Sequence, residues 1–144
     1  MRQMSVALLT ALLAFTAAGC GGSKNAASPA ETDQAACTGA VLSSAPELPQ
    51  GWPDMAEVTF TKQSDQGPTK VVEGYFSGDI TAAHDDFKRE LQAAGFTVLF
   101  DELEASRGDS EVSWKGKGRS GQVALREECG SKDKIYVRVT NRPA

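Results

Sequence analysis

Residues 79–100 read DITAAHDDFKRELQAAGFTVLF, and this stretch decides the fold. Asp79 is a helix N-cap residue type, with a carboxylate suited to accept from the free amides of a first turn. Ile80, Ala83, Phe87, Leu91 and Ala94 then recur three and four residues apart, which lines one side of an α-helix. Gly95 supplies the C-terminal stop. Directly after it the period changes from helix to strand, and residues 96–102 place Phe96, Val98 and Phe100 on one face.

Outward from this core, short alternating runs extend in both directions. Residues 56–62 put Val58 and Phe60 on one side, with Thr59 and Thr61 on the other. A turn-like Ser64-Asp65-Gln66-Gly67-Pro68 separates them from residues 69–76, so the pair reads as a hairpin. Downstream, residues 111–115 point Val112 and Trp114 inward, residues 122–127 point Val123 and Leu125, and residues 134–140 point Ile135, Val137 and Val139. Glycine-containing turns link them. The order ββαββββ with short connections predicts an α+β fold: an antiparallel sheet with one helix packed on one face. Residues 37–144 are long enough for one such core and too short for two.

The first residues carry a different message. Arg2 provides a minimal positive region, residues 6–18 are apolar apart from threonine, and small residues follow. About 13 apolar residues fall short of the roughly 20 that a bilayer-spanning helix needs, so residues 1–19 read as a signal peptide. The junction Ala17-Ala18-Gly19-Cys20 resembles the bacterial lipobox, with Ala17 where that pattern usually has leucine. The resemblance implies diacylglyceryl transfer to the Cys20 thiol, then cleavage that makes Cys20 the mature N-terminus. Such chemistry uses cysteine because its thiolate is nucleophilic near neutral pH. Two long acyl chains, palmitate among them, make anchoring stable, since one chain alone binds a membrane only marginally. The expected location is the cell membrane, facing outside the cytoplasm. Residues 20–36, rich in Gly, Ser, Ala and Asn, read as the lipidated N-terminus and a flexible linker.

With Cys20 acylated, Cys37 and Cys129 remain, and outside the cytoplasm such a pair oxidises. Their bond closes a loop of about 90 residues, for which chain entropy predicts roughly 4–5 kcal/mol of stabilisation. A metal or redox site is the weaker alternative, because C-x-x-C is absent and His84 is the sole histidine.

The other candidate sites are weak. Gly116-Lys117-Gly118-Arg119-Ser120-Gly121 matches G-x-G-x-x-G, but it lies between two strands with no helix after it, so it reads as a hairpin turn. Lys115, Lys117 and Arg119 make that turn basic and open to an anion, or merely soluble. His84, Asp85 and Asp86 are adjacent and point apart on a helix, so His84 is expected half-exposed. Asp101, Glu102 and Glu104 read as a solvated strand end. No catalytic residue, metal site or cofactor motif is assigned, and a histidine-served hydrolytic triad is not expected.

The formal net charge is −4, and loss of Arg2 with the leader makes it −5, which argues against nucleic acid as a partner. The face away from the helix is the expected partner surface, presenting Tyr75, Leu99, Tyr136 and Arg138, with Ala124 and Arg126 nearby. Coverage by residues 37–54, drawn back by the disulfide, or plain solvation are alternatives for that face. The mature part is similar to small envelope lipoproteins of unknown function, chiefly in residues 48–53 and 93–98. The expectation is therefore a lipid-anchored, non-enzymatic binding domain whose partner is another envelope protein or a wall polymer. The alternative is a small-ligand sensor or carrier, with a pocket between helix and sheet lined by Phe87, Phe100 and Trp114.

Overall fold

The computed structural model describes residues 29–144; the leader, Cys20 and the start of the linker lie outside the described residues. The first element is a helix, α1 (Pro29–Thr38). An irregular strap, residues 39–57, leads to the hairpin of β1 (Val58–Gln66) and β2 (Thr69–Ser77). The main helix, α2 (Ile80–Ala93), carries the chain to β3 (Thr97–Glu104) at the opposite edge of the sheet. From there β4 (Asp109–Gly116), β5 (Arg119–Arg126) and β6 (Lys134–Pro143) meander back, and β6 inserts beside β2. The sheet is antiparallel throughout, in the order β1-β2-β6-β5-β4-β3.

From Val58 onward the strands and main helix follow the expected order ββαββββ, with strands longer than the alternating runs suggested and an added 3-10 turn, Ala105–Arg107, between β3 and β4. The larger addition is α1, which takes up Pro29 to Ala36, residues that composition assigned to the flexible linker. Proline is well suited to a first helical position, since its missing N–H has no partner there in any case. An isolated helix of this length is marginal in water, so its docking must hold it.

The helix α2 forms for the reasons its sequence gave. Asp79 Oδ1 accepts from Ala82 N at 2.9 Å, and Gly95, with φ of 85°, ends the helix. Ile80, Ala83, Phe87 and Leu91 are buried against Val112, Trp114, Val123, Leu125, Ile135, Val137 and Val139. Each large side chain so buried contributes about 1.5–3 kcal/mol. Gly121 lets Trp114 lie against β5, because a Cβ there would press on both the Thr140 carbonyl and the indole ring. The turn between β4 and β5 is Lys117-Gly118, both with positive φ (53° and 74°), the mirror-image turn that matches strand twist.

One expectation about facing is corrected. A bulge between Val98 and Phe100 adds a residue to β3, so Phe100 pairs with Ser113 and Asp101 with Val112. Parity reverses there. Asp101 and Leu103 turn towards α2, and Phe100 turns to the other face, 51% exposed.

The described strands, α-helices and disulfide lie within residues 29–144, so a chain starting at Pro29 keeps every contact described for the core and is expected to fold as a unit.

Candidate functional site

Three places deserve comparison as sites: the sheet face under α1, the space under the strap, and a buried polar cluster beside α2.

Cys37 and Cys129 form the expected disulfide, with Cα atoms 5.4 Å apart across 92 residues of sequence. The bridge ties the end of α1 to the loop between β5 and β6. Ala36 and Cys37 pack on Tyr136, and Thr61 Oγ1 donates to the Ala36 carbonyl at 2.6 Å. So α1 lies over β1, β2 and β6, on the face away from α2. Coverage of that face thus comes from α1, which includes Cys37 and Thr38, while the rest of the segment expected there, residues 39–54, crosses to the α2 side of the sheet.

Beside α1 the same face stays open as a groove of about 640 Å³, with Asp33 on the helix wall and Lys62, Glu73, Ala124, Arg126 and Arg138 among its strand residues. Its charges are mostly paired. Glu73, 5% exposed, accepts from Tyr136 Oη at 2.6 Å and from Lys62 Nζ at 3.2 Å. Burial first, then this bond to Glu73, pushes the Tyr136 phenol well above its ordinary value. Arg126 binds Asp109 and reaches Glu111 at 3.5 Å. Gln122 Nε2 donates to Glu111 at 2.8 Å. Among the described residues, Arg138 takes part in none of these pairs. At the helix wall Glu128 shares a hydrogen bond with Asp33, which raises the Glu128 carboxyl above its ordinary value, with burial adding to the shift.

The expected partner residues are thus only partly assembled. Tyr136 is buried under α1, and Tyr75, half-buried, lies under the Lys134 ammonium at 4.2 Å from the ring centre. Arg138 lines the groove. Leu99 sits apart at the bulge of β3, three strands from β6 and 56% exposed.

The strap makes the second place. Leu42 N donates to the Phe60 carbonyl, Glu47 N to Gln63 Oε1, and Asn141 Nδ2 to the Glu47 carbonyl at 2.7 Å. At its far end Trp52 meets Phe96 and Trp114 edge to face, with ring centres 5.7 and 5.1 Å away. Between these fixed points an apolar pocket of about 480 Å³ opens against β1, with Phe87 on one wall. It is not the expected pocket between helix and sheet. Trp114 is fully buried in packed core, Phe87 borders the strap pocket without exposed surface, and Phe100 is on the other face.

The third place is a correction. His84 is buried, 6% exposed, because it falls on the same helix side as Ile80, Phe87 and Leu91. Its Nδ1 lies 2.8 Å from Ser110 Oγ and its Nε2 3.5 Å from Asp101 Oδ2, while Lys88 Nζ holds Asp101 at 2.6 Å. That lysine hydrogen bond lowers the Asp101 carboxyl below its ordinary value. The residue types are those of a hydrolytic triad, but the setting opposes one. Ser110 is 2% exposed, and the opening beside it, lined by Glu102, Glu104, Asp109 and Glu111, would repel a developing oxyanion. The cluster satisfies a buried imidazole, and its signal was available: His84 shares the spacing of the apolar stripe.

The basic turn disperses as well. Lys117 lies over the Phe96 ring at 5.0 Å, and Arg119 Nε donates to Asn141 Oδ1 at 2.7 Å. Comparison of the chain with profiles of known protein families, with curated proteins and with solved structures finds no match.

Proposed function

We propose that the chain is a lipid-anchored protein of the bacterial cell envelope, carrying a non-catalytic binding module outside the cytoplasm. Its groove beside α1 receives an extended, polar envelope component, another protein or a wall polymer, with a negative group set opposite Arg138. The observation that carries this reading is the Cys37–Cys129 bridge. Disulfides persist outside the reducing cytoplasm, in keeping with the export signal of residues 1–19 and the lipobox-like Cys20. The same bridge holds α1 as a wall along the sheet and so gives an open face the shape of a groove. Within the groove Lys62 and Arg126 have carboxylate partners, which leaves Arg138, among the described residues, as the cation for an incoming anion.

The test uses the full chain in cells. Labelling with an alkyne fatty acid marks the wild-type protein, and Cys20→Ala loses both the label and the membrane fraction. A photo-crosslinking residue at Ala124, on the groove floor, yields defined adducts that vanish with Arg138→Glu, whereas one at the exposed Asp85 of α2 does not. Identical adducts from both positions, or adducts indifferent to Arg138, defeat the groove as the binding site.

A further inference from the structure

We infer that the pocket under the strap is a binding site for a diffusible, uncharged, hydrocarbon-rich small molecule. It is separate from the groove, on the other side of the sheet. Its volume of about 480 Å³ falls within the roughly 300–1,000 Å³ typical of small-molecule sites. Its walls come from Leu42, Leu48, Trp52, Met55, Phe60 and Phe87, with prolines between them.

The strap is built to keep this space open. Pro46, Pro49 and Pro53 fix their own φ and donate no hydrogen bond, so the segment resists coiling onto itself. Its anchors at Leu42, Glu47 and Trp52 hold it to β1, to Asn141 of β6 and to the aromatic cluster. Between them Leu42, Leu48, Val58 and Phe60 stay only half-buried, though a collapsed strap would cover them. That leaves apolar surface which a hydrocarbon ligand removes from water on binding.

Charge narrows the ligand further. Asp54 is the sole ionisable side chain among the lining residues, and it is exposed at the surface. The Lys117 ammonium stands against Gly51 and over the Phe96 ring, and Lys117 does not line the pocket. A carboxylate or phosphate in the pocket thus finds a like charge and no cation in its walls. Polar contacts are left to Ser44, Thr59 and strap backbone, which suit a hydroxyl or carbonyl.

The domain beginning at Pro29 is titrated with 1-octanol, octanoate and octyltrimethylammonium at neutral pH, each below its aggregation threshold. Of the two tryptophans, Trp52 lines the pocket and Trp114 lies in the core, so emission reports the site directly. 1-Octanol shifts the emission saturably towards shorter wavelength, and the shift vanishes in Trp52→Phe while methyl resonances of Leu42, Leu48 and Val58 still move. Octanoate binds about tenfold more weakly than 1-octanol, as a like charge a few ångströms off predicts, and Asp54→Asn narrows that gap. The lipidated full-length protein in lipid nanodiscs still takes up 1-octanol. Absence of a saturable response in both readouts, equal affinity for alcohol and carboxylate, or a shift that persists in Trp52→Phe overturns the site. Refusal of 1-octanol by the lipidated protein alone overturns the assignment to a diffusible ligand, since the protein's own acyl chain then fills the space.

Discussion

The two helices sit on opposite faces of one sheet and are held there by different physics. Helix α2 has a side-chain cap, a buried stripe of Ile80, Ala83, His84, Phe87 and Leu91, and a glycine stop. For helix α1 the described residues show less of this: Ala36 and Cys37 pack on Tyr136, Thr61 donates one hydrogen bond, Asp33 meets Glu128, and a covalent bridge ties its end. One helix is placed by periodicity, the other by a crosslink. The difference teaches that a surface can be shaped without an amphipathic sequence, provided one bond fixes the element that shapes it.

The largest effect is expected on the α2 side. Phe87→Ala removes a fully buried ring at the centre of the core and costs about 3–5 kcal/mol, measured as a fall in the denaturant midpoint of the whole domain. A cost below about 1 kcal/mol would mean that α2 is no better anchored than α1, and the contrast would collapse. Next comes the bridge. Cys37→Ser with Cys129→Ser costs about 2–5 kcal/mol globally. It also acts locally: amide exchange in α1 becomes nearly unprotected while α2 keeps its rank among the slowest amides. Unchanged protection of α1 would show that packing on Tyr136 suffices.

The smallest effect concerns acid. In the folded state the Glu128 carboxyl is raised, chiefly by its hydrogen bond with Asp33, so folding binds that proton more tightly than the unfolded chain does. The contact therefore steadies α1 fully below the ordinary glutamate value near 4.5, and its contribution fades as pH rises through the raised value. Amide protection of α1, measured relative to α2, is expected to decline as pH rises above about 4.5, and Glu128→Gln flattens the decline. A flat profile in the wild type removes this contact from the list of what holds α1.

What the sequence made legible follows the same division. The stripe of α2, the alternation of Val112 and Trp114 or of Ile135, Val137 and Val139, and the glycine turns are local patterns, and each appears where its period places it. The disulfide was legible through cysteine arithmetic. Helix α1 was not, because residues 29–38 have no apolar periodicity and their docking depends on a partner 92 residues away. The bulge at Leu99 was hidden too: a strand's alternation holds until an extra residue enters, and only pairing with β4 reveals that Asp101, not Phe100, faces α2. For His84 the spacing was plain and the residue type misled, since Ser110 and Asp101, which accommodate its two nitrogens, come from other strands. The groove and the strap pocket arise from how segments cross in space, which no local pattern records.

The position of the bridge also sets a path for mechanical load. Tension arriving from the N-terminal side runs along α1 to Cys37 and meets a fork there. One branch is the longer, proline-bearing strap; the other is a direct covalent step to Cys129, between the two strands β5 and β6 in the middle of the sheet. The stiffer branch takes the force, so a pull applied at Pro29 loads the middle of the sheet and leaves the walls of the strap pocket at rest.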